Sequence, residues 1–318
     1  MEQKIGAPTE DQFELPSCPL CAASEGTAFI TAEDDLGGRP GTFRFKRCDG
    51  CGLVYQSPRL RFERIGRYYD DEYIAHRKKT DWGVFTPLYD WAMGKHDRDK
   101  LSLVRRYKSL NADSRVLDVG CGAGTFLALL AEKTGASACG MDFKDLSSLP
   151  WMDRVDFRQG TLAEQDFDER TFDLITMWHF LEHDYTPVDT LIRARDLLAT
   201  DGRMLIEVPR LDSVSFRLFR ERWPGLQAPQ HTMLFDAETL PRMVERAGLK
   251  VCHYLPYGAF PAYFYLFCGV AFKLLRGKGL NLSRAIYPYF AGQLLLLPLL
   301  LFERRLNLAM QTVVCERA

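Results

Sequence analysis

The chain has 318 residues, a formal net charge of −1 and 47% apolar residues. That length buries a sizeable core and allows more than one domain, while the near-neutral balance supplies no basic field, so no nucleic-acid partner is expected. The opening "MEQKIGAPTEDQFELPSCPLC" is polar and acidic, so a secretory signal is not expected either, and of the nine cysteines four form two close pairs.

Residues 1–57 are turn-rich and cysteine-paired. "CPLC" supplies Cys18 and Cys21, and "CDGC" supplies Cys48 and Cys51. Each C-x-x-C spans two corners of a tetrahedron, and Zn²⁺ takes four such ligands in closed structural sites. Gly50 and Gly52 let the second knuckle turn tightly. The gap between the pairs exceeds common finger spacing, and a redox pair or a disulfide is the competing reading. A segment this small has little core of its own, so a metal would supply its folding energy. The remaining cysteines read as core or loop residues of a reducing compartment. Residues 58–112, rich in Tyr, Trp and Arg, read as a helical linker.

From residue 113 onward apolar runs alternate with amphipathic stretches. "RVLDVG" reads as a buried strand and "GTFLALLAEKTG" as a helix closed by Gly135. "ASACGMD", "RVDFRQG", "FDLITMW" and "GRMLIEVP" read as the second to fifth strands, with a helix through "PVDTLIRARDLLATDG". "AETLPRMVERAGLK" is a further helix with Asp236 near its cap, and "KVCHYLPY" and "LAMQTVVCERA" are the last two strands. Such alternation predicts an α/β fold with a parallel, doubly wound sheet.

The most informative stretch is "LDVGCGAGTF", residues 117–126. A strand ends at Asp118, and Gly120, Gly122 and Gly124 turn the chain into a helix. Glycines permit positive φ and close ligand approach, and free N–H groups at the helix start attract polar or anionic groups. A dinucleotide fingerprint would need its third glycine at the position of Thr125, which disfavours a nicotinamide oxidoreductase. An acid just before the first glycine suits a cationic amine better than a pyrophosphate. Asp142, ending the second strand in "GMDF", stands where a carboxylate can accept both ribose hydroxyls.

With "LDVGCGAG", "GMD" and "FDLITMWHFLEH", the chain resembles the class I S-adenosylmethionine (SAM) dependent methyltransferases over about residues 113–250 and the last strand. The resemblance implies a seven-stranded Rossmann-like sheet, with residues 113–318 as the SAM-binding domain. It assigns the methionine moiety to Asp118, Gly120, Cys121, Gly122 and Gly124, and the ribose to Asp142, with Phe143, Leu162 and Trp178 completing the cofactor site. Members often carry an acid after the glycine of the third strand. Here Gly160 precedes Thr161 and Leu162, so backbone groups would read the adenine while Leu162 packs on the ring. "RCDGCGLVYQSPRL" and "RYYDDEYIAHR" resemble the amino-terminal zinc module of bacterial methyltransferases acting on sugar nucleotides and other secondary-metabolite or envelope precursors. That makes the zinc module structural and puts Tyr68, Tyr69 and Tyr73 near the substrate entrance; packing of the linker helix is the alternative for these rings.

Methyl transfer from a sulfonium is an in-line displacement of an activated donor. Orientation supplies roughly 7–11 kcal/mol, and a general base about 10²–10⁴-fold, so positioning the acceptor dominates. Candidate bases follow the fourth strand in "MWHFLEHDYTP", namely His179, Glu182 and His183, and a second element, "APQHTMLF", offers His231. A backbone-bonded histidine or a loop-orienting glutamate is the plainer alternative for each. His76, His96 and His253 read as incidental.

Residues 258–305 form a long insertion between the last two strands. "GAFPAYFYLFCGVAF" is followed by a basic turn and by "AIYPYFAGQLLLLPLLLF", uncharged over 285–302. As one helix the second run would span about 27 Å, short of a bilayer core. Pro261, Pro288 and Pro298 interrupt the runs, and Lys273, Arg276, Lys278 and Arg284 cluster between them. This pattern predicts an apolar helical hairpin lying in one leaflet, admitting a small-molecule or lipid-linked acceptor. A dimer interface and a lid on its own domain compete with it. The expectation is a cytoplasmic methyltransferase with peripheral contact on the inner face of the membrane. The alternative is a non-catalytic adaptor that keeps the fold and binds a membrane or protein partner through the hairpin. The sequence fixes neither the acceptor nor the oligomeric state.

Overall fold

The computed structural model describes residues 6–69, 86–149, 151–167, 171–280, 285–300, 302–303 and 305–318. After a short strand, Phe13–Glu14, that pairs with Arg59–Leu60, come β1 (Gly26–Ala32), β2 (Phe43–Cys48) and β3 (Val54–Gln56). Helix α1 (Thr86–Val104) leads to β4 (Arg115–Val119), α2 (Thr125–Thr134), β5 (Ser137–Asp142), β6 (Asp156–Gln159) and β7 (Phe172–Trp178). Then follow α3 (Pro187–Leu197), β8 (Leu198–Pro209), α4 (Val214–Phe219), β9 (Met233–Leu234), α5 (Thr239–Arg246) and β10 (Leu249–Leu255). The chain ends with α6 (Ala262–Leu275), α7 (Ile286–Leu295), α8 (Leu297–Leu300) and β11 (Met310–Arg317).

The main sheet has seven strands in the order β10-β11-β8-β7-β4-β5-β6. β8, β7, β4, β5 and β6 run parallel, whereas β11 is antiparallel to both β8 and β10. The strand order reverses between β4 and β7, so a crevice opens beyond their carboxyl ends. β4 and β7 are buried over most of their length because both sheet faces are covered, with Asp118 and Thr176 the buried polar residues within them. Helix α2 begins from Gly124 in the left-handed region and ends at Gly135, also left-handed, whose N–H bonds the Ala131 carbonyl. Asp236 Oδ1 accepts from the Thr239 N–H at 2.9 Å, holding the first turn of α5.

The cysteine-bearing segment is built into this body. β1, β2 and β3 share a second sheet with β9, which pairs with β3. Cys18, Leu20, Cys48, Cys51, Leu53 and Tyr55 belong to the same buried cluster as Phe235, Leu240 and Met243.

The two apolar runs between β10 and β11 differ in environment. α6 buries Ala262, Tyr265 and Leu266 in the cluster that holds Phe219 and Trp223, and Phe272 is buried as well, so this run packs on its own domain. α7 leans on it through Tyr289, 5.0 Å from the Tyr263 ring. Beyond that contact Leu294 and Leu295 are 73% and 79% exposed. Among the described residues no apolar hairpin stands off the domain, and no helix is long and apolar enough to cross a membrane.

Candidate active site

The glycine turn follows β4 directly. The N–H groups of Gly120 and Cys121 both donate to the Met141 carbonyl at 2.9 Å, tying the turn to β5. Gly120, Gly122 and Gly124 have φ of +76°, +52° and +70°. At Gly120 a Cβ would stand 2.5 Å from the Phe180 ring, so glycine is required there by conformation and by space. Asp142 closes the turn from the next strand, accepting from the Gly122 N–H at 3.0 Å and the Lys144 N–H at 3.1 Å. Asp118 is 2% exposed and accepts from the Thr176 hydroxyl at 2.6 Å. Burial pushes its carboxyl up to about 7 against the pull of Lys100, with Asp142 adding to the rise.

Asp118, the glycine turn and Asp142 therefore converge as the sequence predicted. Phe143 stands 42% exposed at the mouth, and its ring meets the Tyr69 ring at 5.0 Å. Trp178 is buried with no partner for its indole N–H among the described residues, and the Lys100 ammonium lies 5.3 Å from its ring centre. Burial raises the Cys121 thiol well above its usual range. Leu162 lies in the main core. The Thr161–Glu164 capping box, with the Thr161 N–H donating to Glu164 Oε2 at 2.7 Å, fixes the turn in which it stands.

A second cluster lies beyond β7. His179 takes φ +56°, which swings the chain over the sheet end. Its Nε2 is 3.1 Å from Glu207 Oε1 and its Nδ1 is 3.5 Å from Glu182 Oε1. Burial works against the imidazolium, yet Glu182 and Glu207 lift His179 to about 9. Glu207 also accepts from the N–H groups of Ala259 and Phe260, at 2.6 and 2.9 Å. It thereby pins the start of the apolar insertion to the sheet end.

His183 Nδ1 is 2.8 Å from the Tyr69 hydroxyl and 3.1 Å from the Gln230 carbonyl. His231 Nδ1 donates to the Gly225 carbonyl at 2.8 Å. Its ring meets that of His183 edge to face at 4.4 Å, and burial holds it below the usual imidazole range. Glu182, 1% exposed, has neither oxygen in a hydrogen bond among the described residues.

All four candidate acid–base residues thus lie in one cluster, and Tyr69 joins it to Phe143. Tyr68 is instead buried in the neighbouring core, while Tyr73, His76 and Arg284 lie outside the described residues. His253 stacks against Tyr107, away from this cluster, but the ring of His96 abuts Phe260, whose ring also meets His179. Lys100, Glu207 and Gln56 were not singled out in the sequence. For Lys100 a signal existed in its spacing from Asp97 on α1. For Glu207 it lay in a charged residue inside the otherwise apolar run 204–209.

The four paired cysteines also come together. Cys18 Sγ lies 3.4 Å from Cys51 Sγ, and Cys21 Sγ lies 3.5 Å from Cys48 Sγ, so each contact joins the two knuckles. All four are free thiols, and their sulfurs lie within 4.8 Å of one another. A tetrahedral zinc needs sulfurs about 3.8 Å apart, given Zn–S bonds of about 2.3 Å, and four thiols in this arrangement could bind it. Burial raises Cys51 to about 11, whereas at Cys48 the N–H groups of Cys51 and Gly50 and the Cys21 thiol overcome burial and bring the thiol to about 7.

Residues 93–254 match the family described as "Methyltransferase domain". The "Ubiquinone biosynthesis O-methyltransferase" of Nitrosococcus oceani is 30% identical over 141 residues, 42% of this chain and 57% of that protein. The "Probable S-adenosylmethionine-dependent methyltransferase" of Mycolicibacterium smegmatis is 26% identical over 142 residues, 43% of this chain and 52% of that protein. The chain therefore spans little more than half the length of these curated relatives. Among solved structures, the CcbJ methyltransferase from Streptomyces caelestis superposes with a TM-score of 0.45 at 14% identity, covering 70% of this chain and 96% of that one. The family match spans half of the chain and takes in the glycine turn, Asp142 and the histidine cluster after β7. The chain belongs to the methyltransferase domain family, and its middle is an S-adenosylmethionine-dependent methyltransferase domain.

Proposed function

We propose that this protein transfers the methyl group of SAM to a small-molecule or lipid-linked acceptor such as a saccharide, isoprenoid or secondary-metabolite precursor. Asp118 and the turn of Gly120, Cys121, Gly122 and Gly124 take the methionine moiety. Asp142 takes the ribose. Phe143, Leu162 and Trp178 bound the nucleoside. The carrying observation is that Asp118, the Gly122 N–H and Asp142 meet at the carboxyl ends of β4 and β5. The cluster of His179, Glu182, His183 and His231 opens from the neighbouring β7. In this reading that cluster lines the acceptor side, orienting the acceptor and receiving its proton. The cysteine module, residues 1–57, holds a structural zinc, and residues 58–112 border the acceptor entrance. Mass analysis of products formed from labelled SAM and pooled acceptors tests the proposal, and a chain that binds SAM but labels nothing favours the adaptor reading.

The second apolar run supports peripheral membrane contact. Tyr287, Leu294 and Leu295 expose 68%, 73% and 79% of their surface, and Arg276 and Lys278 lie just before this run in sequence. A helix exposing apolar residues beside basic ones suits an anionic leaflet. Vesicle flotation of the wild type against Tyr287→Ser/Leu294→Ser/Leu295→Ser tests it. These substitutions spare α6, which the core needs; a wild type that stays with the soluble fraction ends the reading.

A further inference from the structure

Glu182 is a buried carboxyl in the cluster beyond β7 with neither oxygen in a hydrogen bond among the described residues. A carboxylate this deeply buried costs several kcal/mol unless paired or ligated. Its nearest cationic candidate, His179 Nδ1, stands 3.5 Å away, and the other nitrogen of that ring serves Glu207. The imidazoles of His183 and His231 complete its surroundings. His231 Nδ1 faces the Gly225 carbonyl, which only accepts, so the ring hydrogen is on Nδ1. Its Nε2 lone pair then faces Glu182 Oε1 across 4.0 Å. Two acceptors confront each other there with no hydrogen between them. His183 lies beside them, with Nδ1 at 2.8 Å from the Tyr69 hydroxyl and 3.1 Å from the Gln230 carbonyl.

We propose that Glu182, His183 and His231 form a binding site for a first-row divalent transition metal. One ligand atom from each residue lies within 4.8 Å of the others. A cation about 2.0–2.2 Å from each donor needs neighbouring donors roughly 3.0–3.6 Å apart, so the three side chains would draw together by up to about 1–2 Å on binding. Backbone carbonyls on the far ring nitrogens orient both imidazoles, as is usual for metal-bound histidines. Two imidazoles with one carboxylate favour Mn²⁺, Fe²⁺, Co²⁺ or Zn²⁺ over Mg²⁺ or Ca²⁺. Three protein ligands leave positions open, and an acceptor with oxygen donors would occupy them beside Tyr69. That last role rests on the methyl-transfer reading; the site itself does not.

The test is titration of the full chain, with zinc already supplied to the cysteines, by Mn²⁺ followed by electron paramagnetic resonance. The expected result is one saturable Mn²⁺ per chain, bound at least about tenfold more weakly by Glu182→Gln and by His231→Gln. Should either variant not fold, Mn²⁺ broadening of the His183 and His231 imidazole resonances in the wild type decides. Equal binding by folded variants, or no saturable Mn²⁺ and no Co²⁺ beyond one tetrathiolate ion, overturns the proposal. The readout needs neither SAM nor an acceptor, so its failure is separate from failure of the methyl-transfer reading.

Discussion

The side-chain amide of Gln56 donates to the backbone carbonyl of His231 at 2.6 Å and to that of Pro229 at 2.9 Å. Gln56 is fully buried on β3, a few residues past the second cysteine knuckle, and its own N–H bonds the Thr232 carbonyl. Knuckle, strand and His231 loop are therefore one hydrogen-bonded unit. The cysteine module is thereby tied to the histidine cluster beyond β7.

Gln56→Leu removes two buried hydrogen bonds and strands two carbonyls. A loss of about 2–3 kcal/mol follows, read by urea unfolding. SAM affinity stays within about twofold, because the glycine turn is untouched, while single-turnover methyl transfer falls about tenfold or more as the His231 loop loosens.

Gly120→Ala meets two obstacles. A left-handed φ costs a non-glycine residue roughly 1–2 kcal/mol, and the new Cβ would press on Phe180 at 2.5 Å. A stability loss of about 2–4 kcal/mol is expected, with SAM binding weakened more than about tenfold. Gly66→Ala is the control: its φ is −52° and its Cβ would meet nothing within 4 Å. Its unfolding midpoint shifts by less than about 0.5 kcal/mol in equivalent stability.

Asp118 gives SAM binding a pH dependence. Burial raises this carboxyl to about 7, and Lys100, Asp97 and Asp142 are the charged groups bearing on it. In the proposed site the ionised form would pair with the ligand's ammonium group, so affinity is expected to fall as pH drops through 7. Calorimetry at pH 8 and pH 6 should show roughly a tenfold weakening, from the fraction ionised one unit below the pKa. Asp118→Asn binds weakly at both values and loses the slope.

Glu303 is expected to weaken the fold at alkaline pH. Its carboxylate caps the start of α6 by accepting from the Ala262 N–H at 3.0 Å. Burial nevertheless lifts it to about 7, and Glu207 adds to the rise; Lys95 and Asp99 are the other charges bearing on it. An acid raised in the folded state contributes stability that is complete below its unfolded value of about 4.3 and is lost as pH climbs through 7. Glu303→Gln keeps an acceptor for Ala262 without the buried charge. It should be more stable than wild type at pH 8 by on the order of 1–3 kcal/mol and little different at pH 5, as measured by chemical unfolding.

Local features were legible in the sequence and long-range ones were not. The glycine turn, Asp142 and the seven strands announce themselves because strand ends, turn glycines and apolar period are set within about ten residues. Paired cysteines are equally local: each knuckle fixes its own two thiols. The cluster around Glu182 was partly legible, since His179, Glu182 and His183 share one turn, but its connection to Tyr69 and Gln230 exists only after folding. Gln56 and Lys100 carry no mark of their roles, which depend on which distant backbone or ring they meet. The apolar insertion shows the same limit. Hydrophobicity identified both runs, yet only packing separates α6, buried against Phe219 and Trp223, from the exposed Leu294 and Leu295.

Isothermal titration of SAM into the wild type, Asp118→Asn and Asp142→Asn tests the central claim most directly. The account predicts one site per chain in the wild type. Each substitution should weaken it at least about tenfold, or about 1.4 kcal/mol, with the fold intact by circular dichroism. No heat with the wild type, or full affinity in both variants, would contradict it.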